Sequence, residues 1–82
     1  MRTILFGQAE CLGNPVYYEL LAEEWNGDAE CYGLRVRRGG EMEEIAGLTV
    51  SQRRIQGLLE SLVRGAVTPA ALRDVVEDWI AV

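Results

Sequence analysis

The alternation of side chains between Val16 and Val36 constrains this chain more than any other feature. The runs Val16 to Ala22 and Tyr32 to Val36 are rich in β-forming residues and flank Asn26-Gly27, a strong turn pair. In both runs the even positions are apolar: Val16, Tyr18, Leu20 and Ala22, then Tyr32, Leu34 and Val36. Successive strand residues face opposite sides, so an antiparallel pair presents both even sets to one core only if an odd number of residues connects the strands. A two-residue Asn26-Gly27 turn fails, because it sets Glu19 opposite Leu34. A three-residue loop, Trp25-Asn26-Gly27, satisfies the condition, with Gly27 in the left-handed bulge position. The expected pairs are then Val16 with Val36, Tyr18 with Leu34 and Leu20 with Tyr32.

Two further strands extend this hairpin. One is expected over Thr3 to Ala9, leading into a loop over Glu10 to Pro15 that contains Gly13-Asn14-Pro15. The other is expected over Met42 to Leu48, with Gly39-Gly40 turning into it.

After Leu48 the period changes from two to that of a helix. Ile55, Leu58, Leu59, Leu62 and Val63 fall on one helical stripe, with Thr49 or Ser51 as the cap and Gly65 as the left-handed terminator. Gly57 inside this stripe weakens the helix, which points to a neighbour packed closely against it. Val67-Thr68-Pro69 separates a second helix, in which Thr68 caps the first turn and Pro69 occupies its first position. There Leu72, Val75, Val76, Trp79 and Ile80 form the apolar stripe, and Arg73, Asp74, Glu77 and Asp78 take the other side. Strands first and helices last give an α+β fold, an antiparallel sheet of three to four strands followed by two C-terminal helices packed on one face.

The chain has 82 residues, the size of a single domain spanning 1–82, and 49% of them are apolar, as in compact folded proteins. No apolar run approaches the roughly 20 residues of a membrane span. The apolar part of Met1-Arg2-Thr3-Ile4-Leu5-Phe6 stops at Gly7-Gln8, short of a secretory leader, so a cytoplasmic location and no membrane partner are expected. Thirteen acidic residues against eight arginines leave a net charge of -5, which repels a phosphate backbone, so no nucleic-acid partner is expected.

Catalytic chemistry finds little support in the residues. Histidine is absent, which removes Ser-His and Cys-His nucleophile pairs and the commonest general acid and base. Cys11 and Cys31 each end an Ala-Glu-Cys tripeptide but lack metal-site or redox spacing, and they read as free thiols. Gly39-Gly40 makes no phosphate-binding loop. No catalytic, cofactor or metal residues are therefore assigned, and the expectation is a protein that is not an enzyme.

With helices on one side of the sheet, the other side carries Tyr17, Glu19, Leu21, Glu23, Cys31, Gly33, Arg35 and Arg37, with Trp25 near the hairpin tip. Cross-strand charge pairs account for Glu19, Glu23 and the arginines. Tyr17 and Leu21 are left outward unless the N-terminal segment covers them, and aromatics beside arginine resemble an interaction surface. The candidate partner-binding residues are accordingly Tyr17, Leu21, Trp25, Arg35 and Arg37 on that face, and Asp74, Glu77 and Asp78 on the last helix. The leading function is a non-enzymatic protein-protein interaction or regulatory module, binding another protein or itself. The alternative is an acidic, antitoxin-like inhibitor whose carboxylates imitate nucleic-acid charge to block a basic partner.

Tyr32-Gly33-Leu34-Arg35-Val36, Ile45, and the closing Thr68-Pro69 with Leu72 and Asp74-Val75-Val76-Glu77-Asp78-Trp79 resemble a family of short uncharacterised bacterial proteins, found mainly in Clostridia-like Firmicutes. The resemblance runs from about Tyr17 to the end. The family's closing pattern is Ser-Pro-x-His-Leu-x-Asp-Val-[Ile/Val]-Glu-Asp-[Phe/Trp]. Here Thr68 replaces its serine and Ala71 stands in place of its histidine, which removes any role for that histidine. The resemblance implies a bacterial origin, a cytoplasmic location and no assigned activity, and it singles out Asp74, Glu77 and Asp78.

Overall fold

The computed structural model describes residues 1–81. Four strands, β1 (Arg2–Cys11), β2 (Asn14–Glu24), β3 (Glu30–Arg38) and β4 (Glu41–Thr49), form one antiparallel sheet in sequence order. Helix α1 (Gln52–Arg64) follows, then a 3-10 turn over Pro69–Ala71 that runs into α2 (Leu72–Ala81). This is the expected α+β arrangement.

The even side chains of β2 and β3 share a face, but the register between the strands differs from the expected one. Glu24 pairs with Glu30, so the β2–β3 connection has five residues, Trp25 to Ala29, and not three. Five is also odd, and the even sets share a face, but every pair is displaced by two: Tyr18 lies opposite Val36, Leu20 opposite Leu34 and Ala22 opposite Tyr32. The longer loop closes because Asn26 and Gly27 both take positive φ, 52° and 78°, and the Trp25 N–H donates to the Ala29 carbonyl at 2.9 Å. The β1–β2 connection is shorter than expected, a two-residue turn at Leu12 and Gly13, both left-handed.

Two irregularities shape the sheet. In β1 the pairing steps from Leu5 opposite Glu19 to Gly7 opposite Tyr18, leaving Phe6 as a bulge. That extra residue reverses parity, so the odd residues Ala9 and Cys11 join the core side. In β4 the pairing steps from Ile45 opposite Leu34 to Thr49 opposite Tyr32, so Ala46, Gly47 and Leu48 all answer to Gly33. Gly33 makes this possible. A Cβ there would stand 2.3 Å from the Ile45 carbonyl oxygen and 2.7 Å from the Ala46 Cα, and Gly47 turns the bulge at φ 67°.

The core is the even face of β2 and β3 under the helices: Val16, Tyr18, Leu34 and Val36 with Ile55, Leu58, Leu59, Leu62, Leu72 and Val76. Helix α1 crosses all four strands. Tyr18 is fully buried, and its hydroxyl donates to the Val67 carbonyl at 2.8 Å, which ties the sheet to the connection between the helices. Burial, and then the nearby Cys11, raise its pKa above the ordinary 10.0.

Helix ends differ in detail from expectation. Ser51 is the cap of α1, its hydroxyl accepting from the Arg54 N–H at 3.2 Å, while Thr49 accepts from the Ser51 N–H. Gly65 stays right-handed at φ -87°, and Ala66 takes the left-handed turn at φ 48°. Thr68 makes no side-chain cap; its carbonyl accepts from Ala71 because the first turn after Pro69 is wound as a 3-10 helix. Gly57 has no atom within 4 Å of a virtual Cβ, so close packing does not explain it.

Candidate functional site

The open face of the sheet is largely occupied by its own ion pairs. Glu19, opposite Arg35 in register, accepts from Arg37 Nε at 2.9 Å and lies 3.6 Å from an Arg35 nitrogen. Arg35 also donates to Glu44 at 2.8 Å. The Arg37 guanidinium lies 5.2 Å from the centroid of the Tyr17 ring, and Tyr17 is half-buried beneath it. Two cations and two carboxylates thus neutralise one another here.

Leu21 corrects the sequence reading most directly. It lies on this face, as expected, but is only 1% exposed and belongs to the structure's interior. Its direct neighbours in register are Thr3 of β1 and Gly33 of β3, and Gly33 has no side chain to hold it away from the sheet. The alternation of β2 identified the side on which Leu21 stands; it carried no information about the strand that would flank it. Trp25 is 51% exposed in the five-residue loop, outside the sheet face proper.

The second group of candidates has a different environment. Asp74, Glu77 and Asp78 are all exposed on α2, and they take part in none of the ion pairs among the described residues. Asp74 and Asp78 are like charges one turn apart, which opposes helix formation. Asp78 also lies in the last turn, where the negative end of the helix dipole favours cations, and that turn has no basic residue. The remaining charge of the helix, Arg73, is bound to Glu43 of β4 at 3.0 Å.

Sequence reasoning missed what lies beside Glu77. The bulge in β4 brings Ile45 and Leu48 toward α2, where Val76 and Ile80 complete an apolar groove rimmed by Arg73 and Glu77. Its volume is about 140 Å³. Ile80 was legible as part of the apolar stripe of α2, but it is 60% exposed, so it borders the groove and is not covered by the core. The signals available were Gly33 and Gly47, whose conformational demands mark the bulge.

On the other edge of the sheet, β1 exposes Ile4, Leu5 and Phe6. Arg54 of α1 stacks over Trp79 of α2 at 4.5 Å from the ring centroid, fixing the two helices together. Cys11 and Cys31 are half-buried free thiols. Among the described residues no three metal-ligating side chains converge, and no helix is long and apolar enough to cross a membrane.

Residues 4–82 match the model of a family of unknown function, DUF6514. The match begins within β1, earlier than the Tyr17 boundary of the sequence resemblance. No curated protein and no solved structure matches the chain.

Proposed function

The chain belongs to the DUF6514 family, whose function is unknown, and from its surface we propose that it is a small bacterial, cytoplasmic, non-enzymatic protein-binding or regulatory module. One observation carries this reading: α2 holds three carboxylates outside every ion pair among the described residues, with Asp74 and Asp78 repelling one another, Asp78 at the unfavourable end of the helix dipole and Glu77 on the rim of an open apolar groove. A local arrangement that costs stability without a compensating contact in the fold is a mark of a site kept for another molecule. The open sheet face supports the reading less, because Arg35, Arg37, Glu19 and Glu44 satisfy one another and Leu21 is buried.

The nucleic-acid-mimicking inhibitor is the second reading, favoured by the same carboxylates. From Asp74 to Asp78 the helix rises only about 6 Å, roughly two phosphate steps along one strand. That row is short for imitation of a phosphate backbone, and an apolar groove has no counterpart in one. The test is capture of partners from the source cell's lysate, at low and high salt, with wild-type protein and with Ile80→Asp. A complex that survives salt and is lost in Ile80→Asp supports the first reading. One that survives Ile80→Asp and dissolves in salt supports the second. Recovery of no partner, with light scattering giving a monomer, overturns both.

A further inference from the structure

The groove between β4 and α2 has a size, a charge and a neighbouring edge that together define its occupant. We infer that it receives a short basic amphipathic helix, seated by one aliphatic or aromatic side chain between Ile45, Leu48, Val76 and Ile80. This inference rests on the protein-binding reading above and specifies its partner.

Size sets the anchor. The groove measures about 140 Å³, close to the roughly 150 Å³ of an apolar cavity that accepts a benzene ring. One leucine or phenylalanine side chain fills such a space, and two do not. Charge sets the flanks. Arg73 is neutralised by Glu43, so the free charge on the groove's rim is Glu77, which joins none of the ion pairs among the described residues, while Asp74 and Asp78 add negative charge farther round the same helix. A lysine or arginine beside the anchor complements Glu77 and the acidic helix behind it, whereas a second copy of this chain, at a net charge of -5, brings more of the same sign.

The backbone of β4 excludes the other common mode of docking. β4 is an edge strand, and an extended peptide could in principle add to it. The bulge over Ala46, Gly47 and Leu48 interrupts the hydrogen-bonding edge beside the groove, and bulged edges resist strand addition. A helix laid in the groove needs no such edge.

The probe is a synthetic lysine-rich amphipathic peptide of about three helical turns with a single central leucine, titrated into the isotope-labelled full chain and followed by amide correlation spectra. Expected are saturable shifts centred on Ile45, Leu48, Val76, Glu77 and Ile80. Replacing the peptide's leucine by alanine is expected to weaken binding about tenfold or more, from the lost apolar burial. Ile80→Asp, at an exposed position that leaves the fold's dispersion intact, is expected to abolish the shifts, and Glu77→Lys to weaken affinity about fivefold. The inference is overturned if the shifts fall on the open face or nowhere. It is equally overturned if the alanine peptide or a glutamate-rich isomer binds as well, or if Ile80→Asp binds unchanged. Capture of a lysate partner that ignores Ile80→Asp would sink this inference and leave the protein-binding reading; absence of any partner would sink that reading.

Discussion

Reversing the charge of Asp78 should strengthen the fold while weakening the site, and the two effects can be separately measured. Asp78 is exposed, forms none of the ion pairs among the described residues, and lies in a last helical turn with no basic residue. Asp78→Lys removes a like-charge pair with Asp74 and creates an acid-to-base pair at the same spacing, about 0.2–0.5 kcal/mol for each change. It also replaces an unfavourable charge at the helix C-terminus by a favourable one, worth about 0.3–1 kcal/mol. The sum is about 1 kcal/mol, which in a domain of this size corresponds to a rise in Tm of roughly 4–8 °C. Thermal unfolding followed by far-ultraviolet circular dichroism at low salt reads this directly, and added salt should shrink the gain. The lysine-rich probe should bind the variant about fivefold less tightly. A Tm that is unchanged or lower would refute the reasoning, since it would mean that the Asp78 carboxylate stabilises the fold. A higher Tm with undiminished probe affinity would separate the acids from the groove.

Further outcomes follow from the strands and the core. Gly33→Ala should lower stability by about 1–2 kcal/mol, the strain of moving β4 backbone less the entropy gained from alanine, whereas Gly57→Ala should raise it by up to about 1 kcal/mol; denaturant midpoints with unchanged slopes test the opposite signs. Leu21→Ala should cost about 2–4 kcal/mol as a cavity mutation, and a change near zero would return Leu21 to the surface. Tyr18→Phe should cost about 1 kcal/mol by leaving the Val67 carbonyl without its donor. The raised pKa of Tyr18 adds a pH signature: wild-type stability is whole below the ordinary tyrosine pKa of 10.0 and declines as pH rises through the higher folded value, a decline that Tyr18→Phe removes. Ala66→Gly should raise stability by about 0.5–1 kcal/mol, by relieving a left-handed alanine.

How much of this was legible in the chain depends on the range of the interaction. The facing of Val16, Tyr18, Leu34 and Val36, and of the stripes on α1 and α2, follows from periods of two and 3.6 that any single segment displays. The Thr49-Val50-Ser51 start of α1 was legible for the same local reason. Loop length was not. Parity permits three or five residues equally, and the choice between them rests on a backbone bond from Trp25 to Ala29 that composition does not encode. The bulges at Phe6 and opposite Gly33 arise between strands, and they decide which odd residues of β1 reach the core and how Ile45 and Leu48 meet α2. Burial of Leu21 likewise depends on β1 and on the empty position of Gly33. The acids of α2 were evident as a polar face, whereas the groove that gives them a context is a product of the β4 bulge.

A photoreactive side chain placed at position 80, or in a separate variant at position 17, compares the two candidate surfaces within one experiment in source-cell lysate. The account predicts a discrete protein adduct from the position of Ile80, diminished by excess lysine-rich probe peptide, and none from the position of Tyr17. An adduct from position 17 with none from position 80 would contradict it.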